Sequence, residues 1–191
     1  MEVEANAFIG ADQDEIKENL HSKDENVVLA SLDAVRDNDV SYYLDDIANI
    51  LVRFPKQLIR SFALLLLVNK QVNKEFSFNH LGQIIKVNPA KLLPPFTGDK
   101  FNSLVKSMGE EYKDPSISEN AVMLLSSFLI YIYPMEVDFS DPHLLEALYE
   151  LSASYLHVDI GDIDDRLFRR KLDKEKVNQF IDQIRTANEA D

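Results

Sequence analysis

Cysteine is absent from this chain, and so is tryptophan. Without thiols, neither a disulfide nor a thiolate metal site can form. That is compatible with the cytoplasm, the expected location. Glycine is scarce, with five residues in 191. That suits helices joined by short turns better than a sandwich of many tight hairpins. The longest nearly apolar run, Ala121 to Tyr133, is broken by Ser126 and Ser127 and falls short of the ~20 residues that cross a bilayer. Met1-Glu2-Val3-Glu4-Ala5 is acidic and lacks the basic and apolar regions of a signal peptide. Neither a membrane span nor a signal segment is expected.

Bases are the minority charge, 20 against 33 acids, for a formal net charge of −13. Such a field repels phosphate backbones and favours cationic partners. Direct nucleic-acid binding is not expected, whereas a basic protein partner is. Hydrophobic residues make up 46%, enough for a real core and against a disordered chain.

The most informative positive feature is a rhythm. Lys23-Asp24-Glu25-Asn26-Val27, Phe54-Pro55-Lys56-Gln57-Leu58, Asn88-Pro89-Ala90-Lys91-Leu92, Asp114-Pro115-Ser116-Ile117 and Asp141-Pro142-His143-Leu144 each open an apolar stretch. They recur roughly thirty residues apart, the period of stacked helical hairpins. Helices are expected at about 12–20, 24–36, 41–54 and 55–71, then a further helix with Leu81, Ile84 and Ile85 on one face. Further helices follow at 99–111, 116–133, 141–156, 164–172 and 173–186. The thick apolar loads at 62–68 and 121–133 mark buried helices. No segment shows sustained alternation, so the expected fold is all-α: stacked helical hairpins, or an irregular helical bundle. The expected layout is an acidic segment with a short capping helix over 1–22, a repeat domain over 23–157 and charged capping helices over 158–191. A break, Pro94-Pro95-Phe96-Thr97-Gly98, interrupts the middle region near 94–98.

Two segments carry a resemblance. Asp24-Glu25-Asn26-Val27-Val28-Leu29-Ala30-Ser31-Leu32-Asp33-Ala34-Val35 resembles the second helix of a HEAT-type repeat. Asp114-Pro115-Ser116-Ile117-Ser118-Glu119-Asn120-Ala121-Val122-Met123-Leu124-Leu125 resembles it more closely at its entry. The arginine usual in that family is replaced by Val28 and Ser118, which departs from the Asp–Arg ladder that ties such repeats together. The resemblance implies HEAT- or armadillo-like stacking.

Catalytic and metal motifs find no match. The four histidines, His21, His80, His143 and His157, are scattered. His143 and Glu146 have the i, i+3 spacing of di-iron carboxylate bundles, but no second such pair exists. His143 therefore reads as a helix-surface histidine. Counted from Asp159, a calcium loop would need glycine at Asp164 and glutamate at Arg170, so Asp162 or Asp164 reads as a helix cap. There is no phosphate loop, nucleophile elbow or His-Glu-x-x-His. Neither a cofactor nor a metal is expected.

The leading expectation is a non-catalytic protein-binding module, in its sharpest form an acidic inhibitor or immunity-type protein for a basic partner. The acids of the early hairpin, Asp33, Asp37, Asp39, Asp45 and Asp46, are the candidate contacts, with Tyr42 as aromatic anchor. A basic run, Arg166, Arg169, Arg170, Lys171 and Lys174, is the alternative docking patch, against i, i+4 pairing on a solvated helix. The alternatives are a scaffold subunit binding through apolar surface and an enzyme with an unrecognised helical site.

Overall fold

The computed structural model describes residues 12–54, 56–95 and 99–189. The chain divides into two compact units, Met1–Pro94 and Pro95–Asp191, so the division falls within the 23–157 stretch at the Pro94-Pro95 pair. Helix dominates both units. Of the entry signals, Pro55 lies outside the described residues. So do the start of the acidic segment (1–11) and Phe96-Thr97-Gly98.

In the first unit, α1 (Gln13–Leu20) packs on α2 (Glu25–Arg36), and α3 (Leu44–Arg53) packs on α4 (Gln57–Asn69). The Asp24 carboxylate caps α2 by accepting from Asn26 N–H at 2.9 Å, satisfying a donor the helix itself leaves open. Val28, Leu32 and Val35 form its buried stripe. The helix expected over 41–54 is in two pieces, a 3-10 turn Val40–Tyr43 followed by α3. Asp39 caps the turn by accepting from Ser41 N–H at 3.0 Å. Tyr43 is turned fully into the core, while Tyr42 faces solvent.

One expectation fails. The face at Leu81, Ile84 and Ile85 is not a helix but part of a β-hairpin. β1 (Phe76–His80) pairs antiparallel with β2 (Gln83–Val87) through the turn Leu81-Gly82. Alternation is present in β1, where Phe76, Phe78 and His80 are buried and Ser77 and Asn79 exposed. A buried histidine in an apolar register broke the sequence pattern. Both turn residues have positive φ, +49° at Leu81 and +81° at Gly82, as a type I′ hairpin requires. A 3-10 turn, Pro89–Lys91, packs on α4.

The second unit comprises α5 (Asp99–Glu111), α6 (Pro115–Ile132), α7 (Pro142–Leu156), α8 (Ile163–Arg170) and α9 (Lys174–Glu189). Helices α6, α7 and α9 touch one another in a triangle, with α5 laid on α6. Asp114, Asp141 and Asp162 each cap the helix that follows, and proline opens α6 and α7. α6 is long and apolar enough to cross a membrane by length and composition. Its Ile117, Ala121, Leu124, Leu125, Phe128 and Leu129 are nevertheless buried in the unit's core. The surplus hydrophobicity of α4 likewise goes inward through Ala63, Leu64, Leu66, Leu67 and Val68.

Scarce glycine leaves a mark on the helix ends. Gln71, His157 and Lys171 all adopt the left-handed conformation just past α4, α7 and α8, with φ of 51°, 55° and 56°. Each is followed by an amide that reaches back into the helix. Val72 N–H donates to Leu67 O at 3.0 Å, Val158 to Ala153 O at 2.9 Å, and Leu172 to Leu167 O at 2.9 Å. That is the closure glycine usually provides.

Candidate functional site

The acids expected to meet a partner gather at the corner formed by the end of α2, the 3-10 turn and the first turn of α3. They are not equivalent. Asp39 spends its carboxylate on the cap. Hydrogen bonds from the Ser41 backbone and then its side chain hold that carboxyl below the usual range, with a smaller pull from Lys70. Asp46 accepts from His21 Nε2 at 2.7 Å and is only 19% exposed. Asp33 meets Arg36 at 3.2 Å, and Asp37 lies 3.9 Å from the same guanidinium. Asp45 lies 3.3 Å from Lys74 yet is 96% exposed. Exposed pairs of this kind are held by little more than ~0.5 kcal/mol, so Asp33, Asp37 and Asp45 can exchange partners. Tyr42, 55% exposed, lies between them in sequence.

The basic run is arranged differently. Arg166 Nε donates to Glu146 Oε1 at 3.0 Å, and its terminal nitrogens bond Glu150 and the carbonyls of Ile160 and Gly161. Arg170 donates to Glu146 Oε2 at 2.6 Å and also to Glu111. The Glu146 side chain is wholly buried, so one carboxylate is shared by two guanidiniums. Arg166 also lies 5.7 Å above the Tyr149 ring, which stacks on Tyr112. Hydrogen bonds and charge from Glu146 and Glu150 outweigh the burial that opposes them, so the Arg166 pKa is raised. Lys174 pairs with Asp164 at 2.6 Å. Arg169 Nε donates to its own helix at Asp165 O, and Lys171 ends α8. Arg166 is therefore largely buried, while Arg170 is about one-third exposed and tied to two carboxylates. For Arg166 and Arg170 the charged partners lie on α5 and α7 and not at i, i+4 within α8.

His143 is not a surface histidine. Its Nε2 accepts from Asp173 N–H at 3.1 Å, and its Nδ1 lies 2.6 Å from Asp141 Oδ1. It bridges the capping residues of α7 and α9, with the proton on Nδ1. Glu146, one turn on, meets arginine. Among the described residues no group of three or more His, Asp or Glu is placed to hold a metal ion. Asp162 caps α8, accepting from the amides of Asp164 and Asp165 at 2.8 and 3.1 Å.

An open groove of about 710 Å³ lies between α5 and the 136–140 loop, lined by Asp99, Lys100, Leu104, Glu136, Asp138 and Phe139 among others. A carboxylic acid serving as proton donor needs its pKa raised. Asp138 is held low instead, by hydrogen bonds from the Ser140 side chain and backbone.

The Glu146 cluster was missed in the sequence, although a signal existed. Glu146 and Glu150 share one face of α7 at i, i+4, and Arg166 and Arg170 share one face of α8. Two like charges on a face that also carries Ala147 and Leu151 imply a counter-charged helix against it. Comparison with protein-family models, curated proteins and solved structures yields no match.

Proposed function

We propose that this chain is a non-catalytic protein-binding module that receives a basic protein surface at the acidic corner of its first unit. The observation carrying this reading is the contrast in how the charges are used. Arg166 and Arg170 are each committed to two carboxylates of the second unit, whereas Asp33, Asp37 and Asp45 stand in solvent on weak pairs beside exposed Tyr42. A carboxylate on such a pair trades one exposed base for another at little cost, and its field speeds encounter with cations.

A HEAT-like arrangement is proposed for the first unit only. There α1 and α2 form one pair and α3 and α4 the next, with α1 against α3 and α2 against α4. Stacked hairpins of a helical repeat make these same contacts. The mutual packing of α6, α7 and α9 favours a bundle in the second unit.

The test begins with a partner captured from native lysate and then purified. Its association rate is measured against salt for the wild type and for the Asp33→Lys, Asp37→Lys, Asp45→Lys triple variant. The expected result is a rate at least about tenfold lower in the variant, with a flattened salt dependence. An unchanged rate would overturn the acidic-corner reading.

A further inference from the structure

Edge strands are usually blunted by proline, bulges or charged side chains, because their open backbone groups invite another strand. β2 has one of these devices, the charge of Lys86, but neither proline nor bulge. It is a regular five-residue strand, Gln83-Ile84-Ile85-Lys86-Val87, with one base, no acid and no proline.

Its hydrogen-bonding geometry follows from the register. His80 pairs with Gln83 across the two-residue turn, then Asn79 with Ile84, Phe78 with Ile85 and Ser77 with Lys86. The pair closing such a turn exchanges hydrogen bonds and the next does not, in alternation. The amides and carbonyls of Ile84 and Lys86 therefore point away from β1. On the β1 side the equivalent outward carbonyl, Asn79 O, accepts from Arg60 Nη1 at 2.7 Å. Among the described residues no such partner meets Ile84 or Lys86 on the outer side of β2. The Ile84 side chain is 78% exposed.

We infer that β2 pairs antiparallel with β2 of a second copy of this chain, joining two hairpins into one four-stranded sheet. The edge is self-complementary about a two-fold axis at Ile85. In that register Ile84 of each copy lies opposite Lys86 of the other, so the outward groups of both strands are matched. Ile85 meets Ile85, and each Ile84 side chain lies along the aliphatic stem of a lysine. Because β2 contains no acid, two chains that each carry a net charge of −13 meet here without opposed carboxylates. A two-stranded sheet is marginal alone, and a four-stranded one is better supported. This contact buries less than the ~1,200 Å² of a stable interface, so the dimer is weak, with Kd on the order of 0.1–1 mM. The inference is independent of the acidic corner and of any basic partner.

The test is sedimentation of the full chain from about 10 µM to about 1 mM, in low and in moderate salt, a range that brackets the expected Kd. A dimer should grow with concentration and with salt, as screening relieves the repulsion between acidic chains. Ile84→Pro deletes an N–H that the hairpin's own pairing does not use and should weaken association at least about tenfold. Leu81→Asn, which suits the turn, should leave it unchanged. Hydrogen exchange on the unmutated chain provides a second readout. Ile84 and Lys86 amides should gain protection with concentration, while the Ile85 amide, already bonded to β1, should not. A monomer throughout, a dimer unaffected by Ile84→Pro, or outward amides indifferent to concentration would each overturn the inference.

Discussion

Changing Glu146 to glutamine removes one charge from a site that water does not reach. The carboxylate is wholly buried and accepts from Arg166 at 3.0 Å and Arg170 at 2.6 Å. Glutamine keeps the shape but offers one acceptor oxygen and turns an NH₂ group toward the other guanidinium. Removing one partner of a buried ion pair costs ~3–5 kcal/mol, because the remaining charge is stranded away from water. Here each arginine retains a second carboxylate, Glu150 for Arg166 and Glu111 for Arg170. The expected loss is therefore at the lower end, about 3 kcal/mol. Glu150 and Glu111 are about one-third exposed, so Glu150→Gln and Glu111→Gln should each cost no more than ~1 kcal/mol. Urea unfolding followed by circular dichroism gives the three losses, and hydrogen exchange in α7 and α8 reads the second unit separately. If Glu146→Gln cost no more than Glu111→Gln, the shared carboxylate would not hold α8 to α7, and the burial argument would fail. A variant with leucine at Glu146 and methionine at Arg166 and Arg170 should recover most of the loss, since well-packed apolar groups replace buried ion clusters at little cost.

Three further outcomes follow from the same physics. The Tyr133 hydroxyl is buried without a hydrogen-bond partner among the described residues, so Tyr133→Phe should be neutral or stabilise by up to ~1 kcal/mol in urea unfolding. Burial raises the Tyr133 pKa to about 12 from 10.0, so only the unfolded chain ionises between those values. Stability from this group is complete below pH 10.0, is lost as pH rises to about 12, and that part of the loss should vanish in Tyr133→Phe. Gln71→Gly and His157→Gly relieve left-handed backbone at φ of 51° and 55° and should each stabilise by ~0.5–1 kcal/mol, read as a higher urea midpoint at constant m.

Legibility tracked how local each determinant was. Asp24, Asp114, Asp141 and Asp162 announced their helices because a cap acts within three residues of itself. α4 and α6 were legible because an all-round apolar helix has to be buried. The β-hairpin was lost for a physical reason. Its turn has leucine where a type I′ turn favours asparagine, and its inward face includes His80, so both the turn signal and the alternation were broken. Leu81, Ile84 and Ile85 then matched a helical spacing by chance. Glu146 reads in the sequence as the i, i+3 neighbour of His143 and Arg166 as an i, i+4 partner within its own helix, because which helix faces which is set by tertiary packing. His143 was misplaced for the same reason, since its Nε2 partner is the Asp173 amide on a later turn. The acidic corner was legible as composition. The division of labour within it, with Asp39 and Asp46 engaged and Asp33, Asp37 and Asp45 loosely held, depends on Ser41, His21, Arg36 and Lys74.

Salt separates the one observed and two proposed uses of charge in this chain. The Glu146 carboxylate at the centre of its cluster is buried, so ionic strength should move the stability it confers only weakly. The acidic corner is exposed, so association with a basic partner should weaken as salt rises. Pairing through β2 works against the repulsion of two acidic chains, so it should strengthen over the same range. One buffer series on one preparation therefore gives three slopes of different sign, none of which needs a mutation. If self-association and partner binding moved in the same direction, one surface would be carrying both. Charge reversal at Asp33, Asp37 and Asp45 would then identify it, since those substitutions leave the outward backbone groups of Ile84 and Lys86 untouched.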